Sequence, residues 1–238
     1  ASDDLLYKAE DVTSPETFKD FDEGFLDNET LEGTAYAVPL IASTRALFVN
    51  NELLDEAGVK EAPKDWDELL DASQKVSELG GGVAGYGMPL GSEEAQAEAA
   101  IWLWGAGGTF GDEKEITIDT PENLEGAKQI KKMIDEGATQ DDPGSSQRTP
   151  LMDIFIQGKI GMQVGLPPTV GQIEEGNPEL DYSIVPIPTK DGSPFTLGVM
   201  DQLMAFQNDD DKKEAITKFF DYYYSADVYV PWVQAEGF

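Results

Sequence analysis

VPLIASTRALFVN, which runs from Val38 to Asn50, is the stretch of sequence that decides the fold. Both ends of the stretch are apolar and β-prone, so the segments AYAVPLI and RALFVN are predicted to be strands. Ser43, Thr44 and Arg45 lie between the two runs. The strands are therefore joined through polar residues rather than by a turn.

A second junction of this kind, VPIPTKDGSPF, runs from Val185 to Phe195 and contains three prolines. Proline disfavours helix and interrupts a central strand, so this segment is predicted to be a linker. Paired with the region around Pro39, the linker indicates a chain that leaves one lobe, builds a second lobe and returns.

Helix and strand patterns alternate along the chain, which predicts an α/β fold with helices that cover the faces of a sheet. Helix starts are predicted at Asp65, with Glu68 three residues later, and at Thr120, which is followed by proline. The second of these helices is predicted to pack through four apolar residues, Leu124, Ala127, Ile130 and Ile134. EITI (residues 115–118) is predicted to be a strand, and ADVYVPWVQAEGF (residues 226–238) a last apolar turn.

The composition excludes several classes of function. The chain has 238 residues with 47 Asp and Glu against 16 Lys and Arg, a formal net charge of −31, so nucleic acid and anionic lipid are not expected partners. Cysteine and histidine are absent, which excludes Cys and Ser-His-Asp nucleophiles and zinc sites built on thiolate or imidazole. The calcium-loop pattern is missing too, so we expect no metal and no cofactor.

The chain contains no apolar run of the ~20 residues that a membrane helix needs, and ASDDLLYKAE at its start is not a signal peptide. For an exported protein, the targeting segment is then expected outside this chain.

Several motifs occur in an order that resembles a known family. LEGTAYAVPLIASTRALFVNNELLDEAGVKEAPKDWDELLDASQKV is similar to the signature of ABC-transporter extracellular solute-binding proteins of the sugar-binding, maltose-binding-like type. DIFIQGKIGMQVGLPP, VPIPTKDGSPFTLGVMDQLMAF and EAITKFFDYYYS resemble later segments of the same family. Each motif alone is weak, and their common order carries the resemblance.

The resemblance implies a two-lobed, periplasmic-binding-protein-like (type II) α/β fold with an incomplete first lobe, because family members have further sequence on both sides. It assigns residues 1–40 with 189–225 to lobe 1, residues 44–186 to lobe 2, residues 41–43 and 186–188 to hinge crossings, and residues 226–238 to the start of a return to lobe 2.

The resemblance also implies the function: capture of a sugar between the lobes and its delivery to the membrane permease of an ABC importer. The protein is then an extracytoplasmic monomer, either a cell-surface lipoprotein or periplasmic, and not an enzyme. Two other classes remain open, a glycosidase that uses a carboxylate pair and an acidic adhesion or scaffold domain.

The first candidate ligand contacts are Ser43, Thr44 and Arg45, where the family's first crossing strand faces the cleft. The guanidinium of Arg45 has the planar fork that binds sugar hydroxyls or a carboxylate. The alternative is an arginine paired with one of many nearby acids.

A loop and a strand supply further candidates. Leu166, Pro167 and Pro168 fill the turn where many family members place a stacking aromatic residue. Gly198 and Asp201 lie in the strand that runs beside the cleft, although Asp201 is also compatible with the outward face of that strand.

Trp102 is the last candidate contact. Trp102 and Trp104 lie two residues apart on one predicted helix, so they point to different faces and cannot both stack on one ligand. At least one of them is expected in the core, as are Trp66 and Tyr222–Tyr224.

Overall fold

Strands and helices alternate along the chain in the computed structural model, which describes residues 5–27, 29–112 and 114–238. In these residues the strands are β1 (Thr30–Leu31), β2 (Thr34–Ala35), β3 (Ala37–Thr44), β4 (Ala46–Asn50), β5 (Ala84–Gly87), β6 (Ile160–Gly165), β7 (Tyr182–Val185) and β8 (Gly198–Met204). The α-helices are α1 (Pro15–Asp20), α2 (Glu23–Asp27), α3 (Asn51–Glu56), α4 (Trp66–Ser77), α5 (Ala95–Gly105), α6 (Pro121–Asp135), α7 (Arg148–Ile156), α8 (Thr169–Gly176), α9 (Asp210–Tyr223) and α10 (Ala226–Glu236). Within these ranges, no helix combines the length and the apolar character that a membrane crossing requires.

The chain divides into two compact units, and the division falls inside the stretch that decides the fold. The large unit is Thr44–Leu197, and the small unit consists of the chain up to Ser43 together with Gly198–Phe238. Residues 189–197, predicted to belong to lobe 1, lie in the large unit, where Trp66 N–H donates to Thr189 O at 3.1 Å. Residues 226–238, predicted to begin a return to lobe 2, lie in the small unit.

The large unit is built on a four-stranded sheet in the order β5-β6-β4-β7. The predicted strand RALFVN is β4, which lies between two antiparallel neighbours, with Phe48 opposite Gln163 of β6 and Ile184 of β7. This central position explains why four of its five residues are buried. Strand β7 forms one edge of the sheet, and β5, which pairs in parallel with β6, forms the other edge.

One core cluster of the large unit packs α7 and α8 against this sheet. Its buried residues come from strands and helices alike, and they are Phe48, Ala84, Leu151, Met152, Phe155, Ile156, Ile160, Ile173 and Leu180. Strand β5 approaches α4 so closely that a Cβ at Gly85 would overlap the backbone of Ser73. Glycine is therefore required there.

The predicted helix starts are confirmed. Asp65 Oδ1 accepts the Glu68 N–H at 2.9 Å at the start of α4. Thr120 Oγ1 accepts the Asn123 N–H at 3.2 Å at the start of α6, and Pro121 is the first helical residue. Each side chain satisfies one of the N–H groups that a helix start leaves unpaired.

The predicted packing face of α6 is wrong. The buried residues of this helix are Asn123, Gly126, Gln129 and Met133, whereas Leu124 is 56% exposed. The reason is the close contact with α5, because a Cβ at Gly126 would lie 2.5 Å from Trp102 O. Asn123 Nδ2 also donates to Thr109 O at 2.7 Å and to Ile118 O at 2.8 Å, which explains a buried amide on this face.

Two further local predictions are wrong. EITI is not a strand, because only Ile116 pairs, in a single bridge to Gly111. Asp112 Oδ1 instead accepts the N–H groups of Lys114 and Glu115 and turns the chain. At the C-terminus, ADVYVPWVQAEGF forms the 11-residue helix α10 rather than a turn, although Pro231 removes one N–H donor within it.

The small unit combines the hairpin of β1 and β2 with the two-stranded sheet of β3 and β8. The hairpin turns at Glu32 and Gly33, both at positive φ, as a two-residue turn between paired strands requires. One core cluster of this unit contains the buried residues Tyr7, Ala9, Val12, Val38, Ala205 and Phe220.

Candidate functional site

Arg45 lies between β3 and β4, in the polar part of the stretch that decides the fold. Its N–H donates to Leu197 O at 3.0 Å, and its carbonyl accepts from Thr196 Oγ1 at 2.6 Å. The residue is only 6% exposed. A guanidinium this deeply buried requires a partner of opposite charge.

Glu94 is that partner. Arg45 Nη2 lies 2.8 Å from Glu94 Oε1 and Nη1 lies 3.2 Å from Oε2, so the pair is bidentate. Glu94 immediately precedes α5, but its side chain accepts no N–H of that helix and is directed to the arginine instead. The structure thus shows the alternative to ligand binding that the sequence left open for Arg45, an arginine paired with a nearby acid.

Arg148, the first residue of α7, contacts the same carboxylate. Its Nε lies 2.8 Å from Glu94 Oε2, and its Nη2 lies 3.3 Å from Glu93 Oε1. Arg45 and Arg148 are the two arginines of the sequence, and both converge on Glu94. Sequence reasoning missed Arg148 and both acids, although arginine's rarity in so acidic a chain was a usable signal.

Thr149 and Gln147 hold Glu93 in place. Thr149 Oγ1 donates to Glu93 Oε1 at 2.6 Å, and the Thr149 N–H donates to Oε2 at 3.3 Å. These hydrogen bonds, with the charge of Arg148, lower the pKa of Glu93 below its ordinary value. The Glu93 N–H in turn donates to Gln147 Oε1 at 2.7 Å, so the start of α7 is joined to the residues before α5. We call Arg45, Glu93, Glu94 and Arg148 the arginine cluster.

Trp102 has no face open to a ligand, because it is 1% exposed in the core of the large unit. Its Nε1–H donates to Glu98 Oε1 at 2.9 Å, and the Tyr86 hydroxyl donates to the same oxygen at 2.9 Å. Burial raises the pKa of Glu98 to about 7, against the opposing effect of these two donors and of the charge of Arg45. Burial and, to a smaller extent, the charge of Glu98 also raise the pKa of Tyr86.

Leu166, Pro167 and Pro168 form the turn between β6 and α8, and all three are half-buried. Thr169 Oγ1 accepts the Leu166 N–H at 3.2 Å, which holds this turn closed. A Cβ at Gly165 would lie 2.6 Å from the ring of Phe48, so the end of β6 is fixed against the core. The turn contains no aromatic residue.

The other predicted contacts are divided between the units. Thr44 is exposed in the large unit, whereas Ser43, Gly198 and Asp201 belong to the small unit. Ser43 is half-buried in β3, and Gly198 and Asp201 are exposed in β8. A Cβ at Gly198 would meet open space, so no close approach explains this glycine.

A groove of about 440 Å³ lies beside Arg45 in the large unit. Its lining residues come from three segments, and they are Arg45, Ala46, Ile184, Val185, Pro186, Pro194, Phe195 and Thr196. We call it the Arg45 groove. It places a half-buried aromatic residue, Phe195, in the same groove as Arg45, a combination missed from the sequence, where the stacking residue was expected after β6.

Curated relatives of this chain are binding proteins by name. A binding protein of Brucella abortus (strain 2308) is 37% identical over 228 residues, which cover 92% of this chain and 53% of that protein. The maltodextrin-binding protein MdxE of Bacillus subtilis (strain 168) is 26% identical over 199 residues, 74% of this chain and 42% of that protein. The chain thus spans about half the length of the curated relatives it matches.

A solved structure supports the fold. The solute-binding protein of an ABC transporter of Thermotoga lettingae TMO, bound to α-D-tagatose, superposes with a TM-score of 0.85 at 24% identity, covering 100% of this chain and 62% of that one. The predicted α/β fold of the two-lobed periplasmic-binding-protein type is confirmed by this likeness. Residues 2–230 also match the family model described as bacterial extracellular solute-binding protein, and the chain therefore belongs to that family.

Proposed function

We propose that this protein captures a mono- or oligosaccharide outside the cytoplasm and delivers it to the permease of a bacterial ABC importer. The observation that carries the proposal is the family match over residues 2–230. The sugar is suggested by a relative named for maltodextrin and by the tagatose bound in the Thermotoga lettingae structure.

The large unit offers groups that suit a sugar. Sugar hydroxyls are bound by planar carboxylate and guanidinium groups, and the apolar face of the ring packs on an aromatic side chain. Arg45 and Glu94 orient each other, so little side-chain freedom is lost when a ligand arrives. Phe195, in the groove that Arg45 also lines, is the ring that we propose for stacking, since Trp102 is enclosed.

The remaining predicted contacts stay in the proposal because each has some surface open to a ligand. They are Ser43, Thr44, Leu166, Pro167, Pro168, Gly198 and Asp201.

Isothermal titration of the full-length gene product tests the proposal. The panel contains monosaccharides, maltodextrins, peptides and amino acids, and we expect binding to sugars alone. Phe195→Ala should weaken sugar binding about 10-fold through the loss of ring stacking. Phe110→Ala, a change of the same size at a ring outside the groove lining, is the matched control and should leave the affinity unaltered. Tight binding to peptides and none to sugars would refute the proposal.

We propose no catalysis. A glycosidase of the carboxylate-pair type needs an acid of raised pKa that reaches its substrate. Glu98 and Glu29 both have a raised pKa, but they are only 3% and 6% exposed. Glu98 also accepts hydrogen bonds from Trp102 and Tyr86. Incubation with aryl glycosides and oligosaccharides should release no product, and measurable turnover would favour the glycosidase.

A ligand-dependent rise in melting temperature separates the binding protein from an adhesion or scaffold domain.

Light scattering should give the mass of a monomer. Cell fractionation should find the full-length gene product in the periplasm or at the cell surface.

A further inference from the structure

We propose that Glu94 is a specificity-determining residue that restricts the ligand to uncharged sugars. This inference rests on the proposed function and names the chemical class of its ligand. By occupying the guanidinium groups of Arg45 and Arg148, Glu94 leaves the arginine cluster without a free cation for a carboxylate, sulfate or phosphate group.

The geometry of the cluster carries the first step. Both terminal nitrogens of Arg45 contact Glu94, at 2.8 and 3.2 Å. The Nε of Arg148 contacts Glu94 at 2.8 Å, while its Nη2 lies 3.3 Å from Glu93. The terminal fork of Arg45, which an anionic group would bind, is therefore already filled. Two nitrogens of Arg148 lie against carboxylates as charge contacts, and its Nε makes no hydrogen bond to any described residue.

The charge balance carries the second step. Two guanidinium groups face two carboxylates, so the cluster is close to neutral. Glu98, whose carboxyl also interacts with Arg45, adds no positive charge. Among the described residues that line the Arg45 groove, Arg45 itself is the one basic residue. The formal net charge of −31 repels an anion as it approaches.

Burial makes displacement of Glu94 costly. The side chain of Arg45 is 5% exposed and that of Glu94 is 19% exposed, so their attraction is poorly screened by water. An anionic sugar that bound Arg45 would have to break this pair and leave the Glu94 carboxylate with Arg148 as its remaining charged partner. A neutral sugar has no such requirement, since the pair stays intact.

Paired ligands of equal shape test the inference. The full-length gene product is titrated with glucose and glucuronate, galactose and galacturonate, and maltose. We expect the neutral sugar of the bound pair to bind at least about 10-fold more tightly than its uronate. In E94Q, which removes the charge and keeps the size, the ratio of the two affinities should fall about 10-fold, because the two guanidinium groups gain free capacity.

Glu122→Gln is the matched control. Glu122 is exposed in the first turn of α6, so the change alters the net charge equally at another helix start and should leave the ratio unaltered. A readout based on the ratio is insensitive to a general loss of stability. Equal wild-type affinities would refute the inference without any variant, so it can be overturned even where E94Q does not fold.

Equal wild-type affinities for a neutral sugar and its uronate would overturn this inference while leaving the proposed function standing. The same holds for an unaltered ratio in a folded E94Q. Absence of binding to every sugar on the panel, together with binding to peptides, would overturn the proposed function and this inference with it.

Discussion

The two units are stabilised by different kinds of packing. In the large unit every residue of β5 and β6 is buried, and the core is made of aliphatic, methionine and aromatic side chains. In the small unit no residue of β8, α1, α2 or α10 is buried. The large unit thus owes more of its stability to fully buried side chains, whereas the small unit relies more on side chains that remain partly in water.

Aromatic rings provide much of the packing in the small unit. Tyr223, Tyr224, Tyr229 and Trp232 form a connected group with ring centroids 5.1–5.9 Å apart. The Tyr224 and Tyr229 hydroxyls each donate to a carbonyl of β3. Tyrosine suits such a surface because its ring packs while its hydroxyl satisfies a backbone group.

Matched Phe→Ala substitutions should give the largest contrast between the units. Phe155 is fully buried and packs edge-on against Phe48, so Phe155→Ala should lower the free energy of unfolding by about 3–5 kcal/mol. Phe219 is 53% exposed and stacks on Tyr223, so Phe219→Ala should cost less than about 1 kcal/mol.

Urea denaturation followed by tryptophan fluorescence measures both losses. Trp66, Trp102 and Trp104 report on the large unit, and Trp232 reports on the small unit. Losses of equal size would contradict the contrast drawn between the two cores.

Each unit contains a buried carboxyl group, and both groups are predicted to change the free energy of unfolding with pH in the same direction. Burial raises the pKa of Glu98 in the large unit and that of Glu29 in the small unit from 4.5 to about 7. The folded state then binds more protons than the unfolded state between these values, so the free energy of unfolding falls as the pH rises through about 7. The stabilisation is fully present only below pH 4.5.

Glu98→Gln and Glu29→Gln should reduce this loss, because an amide does not titrate. We expect the free energy of unfolding of Glu98→Gln to rise by about 1–3 kcal/mol relative to that of the wild type between pH 5 and pH 8. The amide oxygen can still accept hydrogen bonds from Trp102 and Tyr86. Glu29 tests the other unit, where neither carboxylate oxygen has a partner among the described residues. Denaturation curves at several pH values measure the slopes, and a slope equal to that of the wild type would contradict the assignment of the titrating group.

Local signals in the sequence predicted local structure well. The starts of α4 and α6 follow from Asp65 and Thr120, whose side chains act within three residues of themselves. The burial of β4 follows from its continuous apolar run. These interactions depend on neighbours in the sequence, so a single chain reveals them.

Long-range pairing could not be predicted in the same way. Arg45 and Glu94 are 49 residues apart, and any of the 47 acidic residues was a possible partner. The face of α6 was mistaken because Gly126 fits against α5, a fact about another helix that hydrophobic periodicity does not contain. The burial of Trp102 likewise depends on Glu98 and Tyr86 as partners for its ring and N–H.

The smallest expected effect concerns the tyrosine hydroxyls of the small unit. Tyr229→Phe keeps the ring that packs on Trp232 and removes only the 2.6 Å hydrogen bond to Leu40 O, so it should cost about 0.5–1.5 kcal/mol of unfolding free energy. Tyr222→Phe, at a residue that is 67% exposed, is the control and should be neutral. Urea denaturation with Trp232 as the probe measures both variants. Equal stability of the two would mean that the aromatic packing alone, without its hydroxyls, stabilises the small unit.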